Sequence, residues 1–276
     1  MSVGADDRRH VSDFDLEVVR AGARIDDSMV PYAKRKVRAA ALSAPGPVLF
    51  GRIKMQHQLD PSLERPFVVS ATLDVNGTPV RAHAAGHMAT EAIDLLEERL
   101  RRQLVEAHQR IAFLRRRHTG VAPIGEWRHG DEPTARPGFF PRPSDERRVM
   151  RTKTVPLDRC VPEDAVMQME MLDHRFHLFV DSATGRDAVV QRLSGGDHAL
   201  SRAPGDGEEP HDVVPFRAGP QPPTLTLASA IELLNDTDEP FLFFVDAETS
   251  RGAVLYRRID GHYGVVQAGM APTLSG

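Results

Sequence analysis

A chain of 276 residues is longer than one ordinary domain, and with 41% hydrophobic and 27% charged residues it should fold into globular domains. One cysteine, Cys160, excludes an internal disulfide framework and any multi-cysteine metal centre, and no apolar run approaches the ~18 residues that span a bilayer. The net charge of −4 is unevenly spread: residues 1–118 carry 19 basic and 15 acidic side chains, residues 154–276 carry 9 and 19. The front can meet a polyanion that the back, taken whole, would repel. The opening MSVGADDRRHVSDFD has no apolar signal core, so a cytoplasmic protein is expected.

The first elements alternate. DLEVVR (15–20) is a candidate strand, and Ile25-Asp26-Asp27-Ser28 offers helix caps before MVPYAKRKVRAAAL, in which Val30, Ala33, Val37 and Ala41 share a face. Pro45-Gly46-Pro47 ends that helix. Strands follow over 48–56 and 67–75, and Asn76-Gly77 is a tight turn into a strand over 79–85. From Thr90 a long helix is expected, with Ile93, Leu96, Leu100, Leu104, Ala107, Ile111 and Leu114 inside an arc of about 80°. The order β-α-β-β-β-α makes this an α+β domain, expected over 11–118.

Residues 119–150 are rich in Pro and Gly without periodicity and read as a linker, yet Trp127, Phe139 and Phe140 are unusual in a passive spacer. Beyond it lies an internal repeat. FHLFVDSATGRDAVVQRLSGGDHAL (176–200) aligns without gaps to FLFFVDAETSRGAVLYRRIDGHYGV (241–265), and ten of the 25 positions are identical. Each copy follows a short helical stretch, so each is a small α+β unit with a helix and a β-hairpin or short sheet, expected over 151–204 and 224–270 with a linker over 205–223 between them. Such a unit has too small a core to stand alone, and the second copy supplies its partner. Alternation sends Leu178 and Phe179, like Phe243 and Phe244, to opposite faces; these four and Tyr256 are the candidate core and pairing positions.

No catalytic motif is present: no phosphate-binding Gly-rich loop with Lys, no G-x-S-x-G, no H-E-x-x-H. His83 and His87 have the spacing of a helical metal pair, but Gly86 and the strand pattern argue against a helix there and no third ligand is near, so neither metal nor cofactor is expected. Asp181 with Thr184, and Asp246 with Thr249, recur at turn positions and should bond backbone amides. Cys160 stands beside Asp158 as well as Arg159, and nothing marks it as a nucleophile.

Basic side chains carry the remaining signal. Arg99, Arg102, Arg110 and Arg117 fall within a second arc of the long helix, Arg110, Arg115, Arg116 and Arg117 have only Glu106 as a nearby acid, and the first helix adds Lys34, Arg35, Lys36 and Arg38. If both helices pack on one face of the sheet, these form a basic platform suited to RNA phosphates; the bland alternative is a solvated face.

GHMATEAIDLLEERLRRQL (86–104) resembles a pattern of the ribosome hibernation promoting factors, the family that includes ribosome-associated inhibitor A, through Met88, Ala92, Ile93, Asp94, Arg99, Leu100, Arg102, Gln103 and Leu104. LFVDSATGRDAVV and FVDAETSRGAVLYRRIDGHYGVV resemble the C-terminal domain of its long-form members. The resemblance implies a β-α-β-β-β-α domain that binds the mRNA and tRNA channel of the small subunit, meeting 16S rRNA and ribosomal proteins chiefly through basic residues of its two helices. It also implies a C-terminal domain that ordinarily pairs with its copy on another ribosome. Here there are two such domains, as in hibernation factors linked to hypoxia or dormancy in some actinobacteria, and the first has lost the tyrosine of the motif at His198. Glu106 and His108 also stand where many relatives have Lys or Arg. The expectation is a non-enzymatic translational silencer of assembled ribosomes, with no membrane partner. Free in solution it should be a monomer whose two C-terminal copies pair with each other. The competing expectation is a regulatory module whose acidic C-terminal pair binds a protein.

Overall fold

The computed structural model describes residues 14–21, 25–58, 64–118, 139, 141–193, 196–205, 216–237 and 239–269, with side chains up to Ala107 in the long helix. The chain forms two compact units, the first essentially the N-terminal segment with Glu170–Asp173, the second the rest from Gly138 onward.

In the first unit, β1 (Asp15–Ala21) runs parallel to β2 (Val48–His57), reached through α1 (Met29–Ala41). β2, β3 (Phe67–Val75) and β4 (Thr78–Gly86) then form an antiparallel meander in the order β1-β2-β3-β4, and α2 (Ala89–His118) closes the unit. The β3–β4 turn uses Asn76 and Gly77 with φ of 51° and 84°, the left-handed pair that matches strand twist, and Asp74 accepts the Gly77 amide at 2.7 Å. Ser28 precedes α1 but does not cap it; Asp26 instead accepts the Ser28 amide at 2.8 Å, which lowers the Asp26 carboxyl pKa. Ala33, Val37, Ala40 and Ala41 of α1 and Ala92, Ile93, Leu96, Leu100, Leu104 and Ala107 of α2 are buried against Ile53, Ala71, Leu73 and Ala82 of the sheet. The expected α2 stripe is thus the buried face as far as its side chains are described; Ile111 and Leu114 lie beyond them.

The second unit holds the two repeats as matching α+β folds. Copy 1 has β6 (Arg159–Cys160), α3 (Pro162–Met171) and the meander β7 (Phe176–Asp181), β8 (Asp187–Arg192) and β9 (His198–Arg202). Copy 2 has β11 (Thr224–Leu225), α4 (Leu227–Asn235) and the meander β12 (Phe241–Asp246), β13 (Gly252–Arg257) and β14 (Tyr263–Ala268). Each first turn is tied as the residues imply. Asp181 accepts the Ala183 amide at 2.9 Å and Asp246 the Glu248 amide at 2.8 Å, while Thr184 and Thr249 accept the amides of Arg186 and Arg251.

The copies exchange strands. β5 (Val149–Val155), which precedes copy 1, lies parallel on β14 of copy 2, while β10 (Arg217–Ala218), which precedes copy 2, lies parallel on β9 of copy 1. The sheets read β10-β9-β8-β7-β6 and β11-β12-β13-β14-β5. β5 is guided onto copy 2 by Arg147, whose guanidinium donates to Asn235 at 2.8 Å and to the Tyr263 hydroxyl at 3.2 Å, and by the Arg148 amide, which donates to His262 at 3.2 Å. Tyr263 is fully buried, and its counterpart in copy 1 is His198, so that anchor exists on one side only.

Candidate functional site

The basic platform is narrower than the helical wheel implies. Lys36 is held between the helices: its ammonium lies 2.9 Å from Asp94 and 2.8 Å from Glu97, and those carboxylates raise its pKa. The Tyr32 hydroxyl donates to Asp94 at 2.6 Å, which lowers the Asp94 pKa and raises that of Tyr32. Arg38 donates to the Phe14 carbonyl at 3.4 Å and lies over the Phe14 ring, anchoring the entry to β1. Arg99 corrects the expectation more sharply. It is only 9% exposed and lies 3.0 Å from Asp173, because it flanks the apolar stripe formed by Leu96 and Leu100.

Of the expected platform, Arg35 and Arg102 stay exposed and Lys34 is half-buried. Arg35 is exposed, with its guanidinium 4.9 Å from the Tyr32 ring, and exposed Arg102 lies 3.5 Å from Glu98, a weak contact in water. Arg110, Arg115, Arg116 and Arg117 continue α2, but their side chains lie outside those described. In the linker, Trp127 and Phe140 lie outside the described residues, whereas the Arg175 guanidinium sits 5.0 Å over the Phe139 ring.

The pairing face is built from counterparts. Leu178 and Val189 of copy 1 and Phe243 and Val254 of copy 2 form one buried cluster, with Phe176 and Phe241 packed against it. The Phe176 and Phe241 rings are 4.7 Å apart, and Tyr256 lies 5.9 Å from Phe176. Leu178, Phe243 and Tyr256 therefore sit on the pairing face. Phe179 and Phe244 do not: both are fully buried in the core of their own copy, beneath its helix, with Ala165 and Met169 or with Ala230 and Leu234. Strand alternation separates each neighbouring pair between the two faces. A contact not anticipated from the sequence crosses the same face: Asp187 of copy 1 accepts from Arg251 of copy 2 at 2.8 and 2.9 Å. The signal lay in the repeat itself, where Asp187 is aligned with Gly252.

Cys160 is half-buried, and burial with the nearby Asp164, Asp158 and Asp181 pushes its thiol up to about 12, which leaves no thiolate at neutral pH. No helix among the described residues is long and apolar enough to cross a membrane.

Residues 144–200 and 218–265 match the family described as the C terminus of the Sigma 54 modulation/S30EA ribosomal proteins. The two matched stretches are the two copies. Across nearly the whole chain the sequence is similar to the dormancy associated translation inhibitor of Mycobacterium tuberculosis, 31% identical over 96% of this chain and 92% of the relative. The chain belongs to the long-form ribosome hibernation promoting factor family. A further hibernation factor, the ribosome hibernation promotion factor of Lactococcus lactis, is 31% identical over 50% of this chain and 72% of its own length. Among solved structures, the Thermus thermophilus Protein Y N-terminal domain is 16% identical with a TM-score of 0.28, covering 34% of this chain and 98% of that one. Hibernation factors of this family inhibit translation and are not enzymes.

Proposed function

We propose that this protein silences ribosomes in the cytoplasm by occupying the decoding channel of the small subunit with its first unit, and that it keeps them as single idle ribosomes. The similarity to a translation inhibitor over 96% of the chain supports translational silencing. The observation that carries the single-ribosome reading is the closed pairing face. Leu178, Val189, Phe243 and Val254 are each buried within one chain, so the apolar surface through which two chains would join two ribosomes is already covered. The tether between the copies gives each an effective concentration for the other on the order of millimolar, far above that of a second ribosome-bound chain.

On this reading Lys34, Arg35, Arg102 and the basic residues at the end of α2, Arg110 and Arg115 to Arg117, meet 16S rRNA phosphates. Lys36, Arg38 and Arg99 instead hold the fold in shape. The acidic second unit, with net charge −10 over residues 154–276, then suits contacts with basic ribosomal proteins better than with bare RNA. The test is sedimentation of ribosomes with saturating protein through a sucrose gradient, with translation followed in parallel. The protein should co-sediment with single ribosomes and inhibit translation. Accumulation of a paired-ribosome fraction would refute the single-ribosome reading, and failure to co-sediment would refute the silencing reading as a whole.

A further inference from the structure

The pairing face is two-fold in its apolar part: Phe176 meets Phe241, and Leu178 and Val189 of one copy pack with Phe243 and Val254, their counterparts in the other. Such a face, by itself, would accept a second identical repeat as readily as its partner. Besides Tyr256, whose counterpart is Gln191, a charged position breaks the symmetry. Asp187, 7% exposed, accepts the Nε and Nη2 of Arg251 at 2.8 and 2.9 Å and the Gly252 amide at 2.7 Å. Its counterpart is Gly252, which has no side chain to return the contact, and there is no room for one. A Cβ on Gly252 would stand 2.8 Å from the Asp187 Cβ and 3.1 Å from the Phe243 ring. Each aligned arginine also gives its Nη1 to a main-chain carbonyl, Arg251 to Gly269 at 3.0 Å and Arg186 to Ala203 at 3.4 Å. The carboxylate is one-sided.

We infer that this position makes the pairing face selective, so that copy 1 pairs with copy 2 and each refuses its own kind. Two copies of copy 1 would bring two buried carboxylates into a space that holds one, combining a steric clash with like-charge repulsion. Two copies of copy 2 would leave both Arg251 guanidiniums without the carboxylate and a gap at the axis where Asp187 now packs. A second chain could enter only by exchanging copy 1 for copy 2 in full, and the tether opposes that exchange. The partner that fits copy 2 is therefore a repeat bearing an acid at the position of Asp187, and this chain carries that repeat itself. Discrimination of this kind works by building cost into the wrong pair, as well as contacts into the right one. The inference concerns the free protein and stands or falls independently of where the first unit binds.

The test is a charge-swap cycle in the full-length chain, read by light scattering for association state and by amide hydrogen exchange in β8 and β13. Wild type should be monomeric, with both strands protected. Gly252→Asp should lower protection in both strands by at least about tenfold and promote self-association, because the aromatic face opens. Asp187→Gly should lower protection without the clash. The double variant Asp187→Gly with Gly252→Asp moves the acid to copy 2, opposite Arg186, and should recover most of the protection and the monomer. This recovery can be read even if Gly252→Asp alone folds poorly. Wild-type protection and monomeric behaviour in Gly252→Asp would overturn the inference, and so would a double variant no better protected than the worse single one.

Discussion

Phe176 and Phe241, at equivalent positions of two repeats in one chain, pack their rings 4.7 Å apart. Contact between counterparts is the signature of a two-fold axis, and here the axis relates two parts of a single polypeptide. A homodimer interface has in effect been brought inside the molecule, so its strength should show as folding stability.

Phe243 is the largest side chain at the centre of that interface, and replacing it by Ala should destabilise the second unit by about 3–5 kcal/mol, the usual cost of truncating a buried phenylalanine. Urea unfolding followed by a probe in the second unit checks this. A loss below about 1 kcal/mol would mean that the face is not tightly packed.

Strand exchange should hold the copies together without the tether. A protease site inserted after Gly205, once cut, should leave two fragments that co-elute on size exclusion, because β5 stays on β14, β10 on β9, and the aromatic face stays closed. Separation of the fragments in native buffer would count against it. Deleting residues 205–276 instead uncovers Leu178 and Val189 and removes β10, and that shortened chain should self-associate or precipitate.

The surface cations and the bridging lysine should behave differently. Changing Lys34, Arg35 and Arg102 to Glu should weaken ribosome binding, and the slope of log affinity against log salt should fall by about one for each phosphate no longer neutralised. Lys36→Met should lower the melting temperature of the first unit, since Lys36 joins α1 to Asp94 and Glu97 of α2, while leaving the salt slope unchanged. Identical slopes for wild type and the triple variant would place the RNA-binding surface elsewhere.

Cys160 predicts a pH effect with a definite sign. Its folded pKa lies above the ordinary thiol value, so the folded state holds the proton more tightly than the unfolded chain. That contribution is fully present below about pH 9 and is lost as the pH rises towards 12. Stability should therefore fall over that range more steeply in wild type than in Cys160→Ala, measured by denaturant titration at a series of pH values. At neutral pH the native thiol should react with a disulfide reagent far more slowly than the unfolded one. Equal rates in the two states would show that burial does not suppress the thiolate.

Much of the chain could be read residue by residue. The hairpin at Asn76-Gly77, the α2 stripe from Ile93 to Ala107 and the Asp-Thr turns of the repeats all depend on neighbours within a few residues. Local backbone preference and helical or strand periodicity decide such features, and both are written into the order of residues. The repeat likewise marked which residues are counterparts, and alternation separated Leu178 from Phe179 and Phe243 from Phe244 without saying which face each pair member would take.

Only the tertiary structure decided which cations remain at the surface and which strand completes which sheet. Lys36 and Arg99 look on a helical wheel like Arg35 and Arg102, but Lys36 is engaged by carboxylates about 60 residues distant and Arg99 by one more than 70 residues distant. β5 belongs by sequence to copy 1, yet Arg147 finds its acceptors in Asn235 and Tyr263 of copy 2. The physical reason is common to both: a charge or a strand edge is satisfied by whatever the folded chain brings within about 3 Å, and sequence distance does not enter that choice.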